Sequence, residues 1–244
     1  MAVKGSAVRP AGFEPAARGT GRRSRTSGHG AARPSLPASV GISGRSWPYG
    51  WLYRAATVAD VKDDAPVVEV VPYDPAWSVR FTVEQRLLSE ALPAALSVEH
   101  FGSTSIPGLA AKPIIDILAV VPEVEAVVAD LRPLELLGYV YRPMAFPEDD
   151  DHLFFAKDTA GKRSHHLHVF GVTSLIPEAN RVFRAYLAAN PDAARRYEAA
   201  KKRAAELHPH SRAQYGAAKE EVTARLLAEA HLWRRAARHQ SAEG

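Results

Sequence analysis

The sequence contains no cysteine, and no apolar run approaches the roughly 18–20 residues that a membrane-spanning helix needs. The first absence excludes disulfide bonds, a thiolate nucleophile and metal centres with cysteine ligands. It also fits a reducing compartment, so we expect a cytoplasmic protein. The second absence predicts that no membrane is a partner. The 244 residues are 46% hydrophobic and 24% charged, which is typical of a globular domain.

Acidic residues are scarce in the first 60 residues, which hold nine Lys and Arg against Glu14 and Asp60. Residues 61–244 hold 22 basic against 25 acidic residues, so the net charge of +4 belongs to the N-terminal segment. We therefore expect no nucleic-acid partner for the body of the protein. The first 50 residues also contain nine of the 16 glycines and show no helical or strand periodicity. This composition predicts a disordered, basic N-terminal extension over residues 1–60.

The sequence leaves the purpose of this extension open. It is rich in Arg and Ser and poor in acids, as transit peptides are, although it lacks a clear amphipathic helix. The cluster of Arg22, Arg23 and Arg25 also suits an arm that binds nucleic acid. A third alternative is an over-extended reading frame or an extension without a function.

The body, residues 65–238, predicts one α+β domain with a mixed β-sheet flanked by helices and a helical C-terminal section. The run 113–121 is apolar on both faces except for Asp116, which is typical of a central buried strand. Strands are predicted at 67–71, 97–102, 113–121, 139–142, 153–157 and 165–171. Helices are predicted at 77–93, 122–137, 178–189, 192–207 and 212–238.

The strongest candidate site lies in residues 100–116, HFGSTSIPGLAAKPIID. A predicted strand ends at Gly102-Ser103. The small residues of the next loop can present N–H groups and the hydroxyls of Ser103, Thr104 and Ser105 to a phosphate. Asp116 follows on the next strand, where an ionised carboxylate is costly unless a cation or strong donors satisfy it. We expect Asp116 to hold a metal and Lys112 to balance the phosphate charge. A plain turn with a hydrogen-bonded Asp116 is the alternative.

Three histidines lie in a later predicted strand, SHHLHVF at 164–170. Side chains alternate along a strand, so His166 and His168 share one face and His165 points to the other. Two imidazoles on one face commonly bind a metal or contact a phosphate. We therefore predict Asp116, His166 and His168 as catalytic residues, with Asp116 and His168 as metal ligands. Histidines satisfied within the core are the alternative, and the acidic loop 149–152 is predicted to be solvated.

The C-terminal helices contribute Arg184, Tyr215 and Lys219 to the predicted phosphate-binding set. Tyr215 and Lys219 are spaced i, i+4 and therefore share one helix face. Two further basic groups, 195–196 and 201–203, are predicted to be ordinary solvated surface because Glu198 and Glu206 lie among them.

These motifs together resemble the GrpB-like family, which is assigned to the nucleotidyltransferase superfamily. The resemblance runs from about 67 to 233 and is most specific in the block from Gly102 to Asp116. The matching pieces are VVPYDPAW (70–77), EHFGSTSIPGLAAKPIIDI (99–117), LLGY (136–139), HHLHV (165–169), FRAYL (183–187) and Tyr215 with Lys219.

The resemblance implies a minimal mixed sheet in which Gly102 and Ser103 hold nucleotide phosphates and Asp116 is the first metal carboxylate. It further implies Mg²⁺ or Mn²⁺ as cofactor, a nucleotide or phosphorylated small molecule as ligand, and nucleotidyl transfer. Leu118 stands where an active transferase usually has a second acid, and the third acidic position corresponds to the strand of the paired histidines. A non-catalytic nucleotide- or metabolite-binding regulatory module on a degenerate site is therefore the alternative.

Members of this family also occur fused to dephospho-CoA kinase, which implies a functional link to that enzyme and a nucleotide- or CoA-like ligand. The chain has no G-x-x-x-x-G-K-[ST] motif, so kinase activity itself is not implied. A third hypothesis is a metal-dependent hydrolase centred on His166, His168 and Asp151.

Overall fold

The computed structural model describes residues 68–146 and 149–242, and the predicted extension over residues 1–60 lies outside them. Among the described residues, none of the helices combines the length and the hydropathy that crossing a membrane requires.

In the described part of the chain, the centre of the domain is a mixed sheet, as predicted, and its five strands have the order β1-β2-β5-β4-β3. Strand β2 pairs in parallel with β5, and all the other neighbouring strands are antiparallel. Buried Ile117 and Ala119 confirm that β2 is an inner strand. The strands are β1 (Ser97–Phe101), β2 (Ile115–Val121), β3 (Tyr139–Tyr141), β4 (His152–Thr159) and β5 (Lys162–Gly171).

Within residues 68–146 and 149–242, six α-helices flank this sheet, and three of them form the predicted helical C-terminal section. They are α1 (Ala76–Ala91), α2 (Val124–Ala129), α3 (Arg132–Leu136), α4 (Ile176–Ala189), α5 (Pro191–Leu207) and α6 (Arg212–Ala242). The prediction of one helix over 122–137 is wrong, because the chain leaves helical geometry at Asp130. Pro133 explains this break, since it has no N–H for the carbonyl of Ala129 and its ring would collide with that carbonyl.

Local sequence signals account for several boundaries. The Asp74 carboxylate accepts a hydrogen bond of 2.9 Å from the N–H of Ala76, the first residue of α1, and so satisfies one of the free donors at this helix end. The turn between β4 and β5 has positive φ at Ala160 and Gly161, as a tight hairpin turn requires. The predicted strand 67–71 is wrong in extent, since Val71 makes only an isolated bridge with Ala111 and residue 67 lies outside the described part.

The two faces of the sheet pack differently. One face is covered by α1, α2 and α3, and its core includes Trp77, Leu88 and Leu167. A second apolar cluster joins α4, α5 and α6 to the loop between β1 and β2 through Ile106 and Leu109. This loop is therefore fixed between the sheet and the helical section, at the position where the candidate site lies.

A charged pair is buried between α1 and the sheet. Lys157 Nζ lies 2.6 Å from Glu84 Oε1, and the two side chains are 16% and 6% exposed. His165 Nε2 lies 4.0 Å from the other carboxylate oxygen of Glu84. His165 therefore faces away from His166 and His168, as strand alternation predicts.

Replacement of Lys157 should expose the cost of this buried pair. We expect Lys157→Met to lower the free energy of unfolding by about 3–5 kcal/mol, because Glu84 would stay buried without its cation. The double variant Glu84→Met/Lys157→Met should regain much of this loss. Urea unfolding of both variants provides the measurement. A double variant no more stable than the single one would contradict an electrostatic origin.

Candidate functional site

A cavity of about 220 Å³ lies between the β1–β2 loop, β5 and the helices α4, α5 and α6. All ten residues predicted for the site line it, although they come from four separate parts of the sequence. They are Gly102, Ser103, Thr104, Lys112, Asp116, His166, His168, Arg184, Tyr215 and Lys219. Their convergence is a structural observation, whereas the function of each residue stays a prediction.

Gly102 brings the backbone of the turn against Asp116. It adopts φ +69° and ψ −170°, a region of backbone geometry that is essentially restricted to glycine. A Cβ atom at this position would also overlap the Oδ2 atom of Asp116. Phe101 pairs with Asp116 in the antiparallel register of β1 and β2, which places the turn beside the acid. Only glycine at position 102 allows the carboxylate and the turn to come this close.

The hydroxyls of the turn differ in their surroundings. Thr104 is 2% exposed, and its Oγ1 lies 3.0 Å from His100 Nε2, so this hydroxyl ties the turn to β1. The Ser105 hydroxyl donates to the carbonyl of Gly102 at 2.7 Å. Ser103 is half-buried and lines the cavity. Ser103 is therefore better placed than Thr104 to meet a ligand.

His100 supports the turn, although it is not among the predicted site residues. Its ring stacks on Phe81 with a centroid separation of 4.7 Å. Burial lowers the pKa of His100 to about 4, so the ring is neutral at pH 7. The spacing of four residues between His100 and Thr104 was no signal for this contact, because such a spacing joins side chains on an α-helix and His100 lies on a strand.

Asp116 and two histidines form a compact cluster on the cavity side of the sheet. Asp116 lies directly opposite His166 in the parallel pairing of β2 and β5, and His166 Nδ1 is 3.0 Å from Asp116 Oδ1. His168 follows on the same face. One candidate ligand atom from each of the three residues lies within 4.8 Å of the other two. The geometry therefore brings together the two predicted metal ligands and the third predicted catalytic residue.

The protonation states of this cluster suit a cation. Burial lowers the pKa of His168 to about 3 and also lowers the pKa of His166, so both rings are neutral at pH 7. Burial acts to raise the pKa of Asp116, but the hydrogen bond from His166 and nearby positive groups hold this pKa below its ordinary value. A carboxylate and two neutral imidazoles are the forms that coordinate metal ions.

His152 contacts and orients His168, one of the two histidines of the cluster. The Nε2 atom of His152 lies 2.9 Å from Nδ1 of His168. On the other side of the His152 ring, Nδ1 lies 3.7 Å from Oδ2 of Asp149. His152 is 7% exposed and begins β4, so the predicted solvated loop 149–152 is wrong at this residue. His152 and Phe154 lie two residues apart on β4, which pairs with β5, so they share one face of the sheet. This spacing was the sequence signal for the placement of His152.

Basic residues from the β1–β2 loop and from the helical section line the cavity. Lys112 Nζ lies 4.8 Å and Lys219 Nζ 5.8 Å from the ring centroid of Tyr215. Lys201 Nζ donates to the carbonyl of Ala110 and lies 4.7 Å from the ring centroid of Tyr197. Burial, with repulsion from Lys219, lowers the pKa of Lys112 to about 8 and that of Lys201 to about 7.

The prediction that Lys201 is ordinary surface is wrong, since it is 2% exposed and lines the cavity. The reason is helical periodicity, because Lys201 continues the buried stripe formed by Ala193, Tyr197 and Ala204 on α5. Its neighbour Lys202 points outward and pairs with Glu198 at 2.6 Å.

Arginines complete the basic lining. Arg184 is exposed and donates to the His100 carbonyl at 2.6 Å, which places it at the rim. Arg163 pairs with Asp158 and lies 3.5 Å from His166 Nε2. Arg212 lines the same space. Among the residues that the structure describes, Asp116 is the only acid that lines this cavity. The cavity therefore has more basic than acidic lining residues, and its electrostatic potential is positive.

The structure does not assemble the hydrolase site expected around Asp151. The Asp151 carboxylate accepts a hydrogen bond of 3.1 Å from Thr173 and lies against Gly171, outside the lining of the cavity. The carboxylate beside His166 and His168 is Asp116, on the neighbouring strand.

The family profile of the GrpB protein matches residues 67–229, which span the sheet, the cavity and most of the helical section. The chain belongs to the GrpB family. It is 38% identical to a UPF0157 protein of Pseudomonas aeruginosa over 169 residues, which cover 67% of each chain. It is 34% identical to the UPF0157 protein YqkA of Bacillus subtilis over 173 residues, or 69% of this chain and 48% of that protein.

A solved GrpB structure has the same fold. The crystal structure of GrpB from Enterococcus faecalis is 35% identical, with a TM-score of 0.59 over 66% of this chain and 98% of that chain. The terminal uridylyl transferase Cid1 has a TM-score of 0.40 at 13% identity, over 56% of this chain and 43% of that chain. The transferase hypothesis therefore rests on the site and not on Cid1. The cytoplasmic location and the link to dephospho-CoA kinase stay predictions.

Substitution of Gly102 should disturb both the fold and the site. We expect Gly102→Ala to lower the free energy of unfolding by about 2–4 kcal/mol, through backbone strain and overlap with Asp116. Gly108→Ala is the matched control, because Gly108 also has positive φ but open space around it. It should cost about 1–2 kcal/mol. Urea unfolding compares the two, and equal losses would show that the contact with Asp116 is unimportant.

The buried His100 predicts a loss of stability in acid. The folded protein keeps this ring neutral down to about pH 4, whereas the unfolded chain takes up a proton below pH 6.5. Acidification from pH 6.5 to 4 should therefore favour unfolding, by about 3 kcal/mol from this residue. Unfolding in urea at several pH values measures the effect. His100→Gln should have a shallower pH dependence, and an unchanged one would contradict the assignment.

Proposed function

We propose that the protein binds a nucleotide, or another phosphorylated small molecule, together with a divalent metal ion and transfers a nucleotidyl group. The observation that carries this proposal is the cavity itself. It contains a glycine turn, which suits a phosphate group, and the Asp116–His166–His168 cluster, which suits a cation. Its basic residues suit the rest of the ligand's negative charge.

The donor set fits a metal ion. Asp116 and His168 would hold the cation, and His166 lies within reach as a third donor. Mg²⁺ prefers oxygen ligands, whereas imidazole nitrogens suit transition metals, so Mn²⁺ fits this set better than Mg²⁺. When bound, the ion would supply charge stabilisation to a phosphoryl oxygen.

The protein's own groups supply the other roles. The backbone of Gly102 and the hydroxyl of Ser103 would bind phosphate oxygens, and Lys112 would offset their charge. Asp116 orients the ring of His166 through the 3.0 Å hydrogen bond. A neutral, oriented imidazole can accept the proton of an acceptor hydroxyl. The freed oxygen would attack the α-phosphorus of the nucleotide, and pyrophosphate would leave.

A second candidate function is a regulatory module that binds the same ligands without turnover. Leu118, two residues after Asp116 on β2, is 1% exposed and packs in an apolar cluster with Phe170 and Ile176. The position at which an active transferase usually has its second acid is therefore occupied here by an apolar core residue. A two-metal reaction needs bridging carboxylates, so the absence of a second acid along the described lining favours one metal or no catalysis.

Asp116→Asn tests the site directly. We expect the affinity for Mn²⁺ to fall more than about tenfold, because the anionic ligand is lost while the shape is retained. Nucleotide binding in the presence of Mn²⁺ should fall with it. Isothermal titration of the full chain with Mn²⁺, and then with nucleoside triphosphates, measures both. Asp151→Asn is the control and should bind Mn²⁺ as the unmodified protein does.

The outcomes separate the candidate functions. Pyrophosphate release that depends on Asp116 supports transfer, and binding without release supports the regulatory module. Failure of the unmodified protein to bind any nucleoside triphosphate with Mn²⁺ would overturn the proposal. Loss of metal binding in Asp151→Asn but not in Asp116→Asn would instead favour the hydrolase hypothesis.

A further inference from the structure

Two residues outside the predicted site extend the histidine cluster away from the cavity. His152 Nε2 lies 2.9 Å from Nδ1 of His168, and His152 Nδ1 lies 3.7 Å from Oδ2 of Asp149. The backbone N–H of His152 donates to the carbonyl of Asp149 at 3.2 Å, which keeps the carboxylate beside the ring. The three side chains therefore form a row that leads from the segment before β4 to the cluster.

The ring of His152 is held in place by its neighbours. It packs against the rings of Phe146 and Phe170, each at a centroid separation of 4.2 Å, and its side chain is 2% exposed. Among the described residues, neither His152 Nδ1 nor Asp149 Oδ2 has a hydrogen-bond partner, although both atoms are buried. Buried polar atoms of this kind need an explanation. A proton on Nδ1 of His152 gives each of them an electrostatic partner.

The proton between the two histidines has two alternative positions. Burial lowers the pKa of His152 to about 2 and that of His168 to about 3, so each neutral ring carries a single N–H at pH 7. If His168 donates from Nδ1, its Nε2 keeps a free lone pair, and the proton of His152 lies on Nδ1, toward Asp149. If His152 donates, His168 is protonated on Nε2, and His152 turns a bare nitrogen toward the carboxylate. Repulsion between these lone pairs disfavours the second arrangement.

We propose that Asp149 and His152 are positioning residues that hold the proton of His168 on Nδ1, so that the lone pair of Nε2 is available to the cation of the proposed function. Asp149 acts through His152, as outer partners of metal-binding histidines commonly do. His168 lines the cavity and its Nδ1 contacts His152, so Nε2 is the nitrogen left for a ligand. The inference rests on the proposed function only for the identity of this ligand, because the position of the proton is a property of the metal-free protein.

Nitrogen NMR of the metal-free full chain at pH 7 tests the position of the proton. Protonated and bare ring nitrogens differ in their ¹⁵N shifts, and the signals of His168 are identified by their absence from His168→Gln. We expect the proton on Nδ1. In Asp149→Asn the amide can donate to His152 and permit the reverse arrangement, so a population protonated on Nε2 should appear. Asp150→Asn is the matched control, because it removes one charge from an exposed neighbour and should leave the proton on Nδ1.

The affinity for Mn²⁺ tests the consequence for binding. We expect His152→Phe to bind Mn²⁺ about 10–100-fold more weakly, because Phe keeps an aromatic ring against Phe146 and Phe170 but cannot accept the N–H of His168. His152→Gln should recover part of this loss, since its amide oxygen can accept that N–H. Asp149→Asn should lower the affinity by a smaller factor. Isothermal titration measures each affinity, and thermal unfolding confirms that each variant is folded.

Three results would overturn the inference. The first is a proton on Nε2 of His168 in the unmodified protein, which would mean that His152 donates toward the cavity. The second is a proton that stays entirely on Nδ1 in Asp149→Asn, since Asp149 would then have no part in its position. The third is a folded His152→Phe that binds Mn²⁺ as tightly as the unmodified protein does.

These results are distinct from a failure of the proposed function. If the unmodified protein binds no Mn²⁺ but His168 is protonated on Nδ1, the proposed metal is wrong and the hydrogen-bond chain stands. If the protein binds Mn²⁺ and His168 is protonated on Nε2 in its absence, the metal site stands and the positioning role is wrong.

Discussion

The close approach of the Asp116 carboxylate to the backbone of Gly102 is the constraint on which the candidate site depends. The turn after β1 and the histidines of β5 are distant in sequence, and this acid contacts both. Position 102 must lack a side chain for the contact to exist, and the carboxylate in turn orients His166. A phosphate held by the turn would therefore lie beside the imidazoles.

The helical section gives this site its second wall. Ile106 and Leu109 anchor the β1–β2 loop in the cluster formed with α4, α5 and α6. One end of the loop carries the glycine turn, and the other carries Lys112. Packing of the loop thus sets the separation between the Asp116–His166–His168 cluster on the sheet and the lysines on the helices. The cavity has chemically different sides because two structural layers meet there.

The elements that were predicted correctly depend on local rules. Strand alternation correctly placed His166 and His168 on one face of β5, with His165 on the other. The position of Asp116 on the face of the paired histidines comes from the register of β2 against β5, which alternation within one strand does not give. Lys201 and His152 were missed for a different reason. Their periodicity was a signal, but the charged residues beside each of them in the sequence favoured the interpretation as solvated surface. The break between α2 and α3 was signalled by Pro133 and overlooked.

Strand β5 carries acid–imidazole partners on both of its faces, since His165 lies near Glu84 and His166 near Asp116. If the register of β5 shifted by one residue, His165 would lie on the side of Asp116 and His166 on the side of Glu84. The acid–imidazole pairs alone would therefore hardly distinguish the two registers. Leu167 and Val169 make the distinction, because a slip would expose these fully buried side chains and move His168 into the apolar core. Two buried aliphatic residues, Leu167 and Val169, thus fix the register of β5 and with it the positions of His166 and His168.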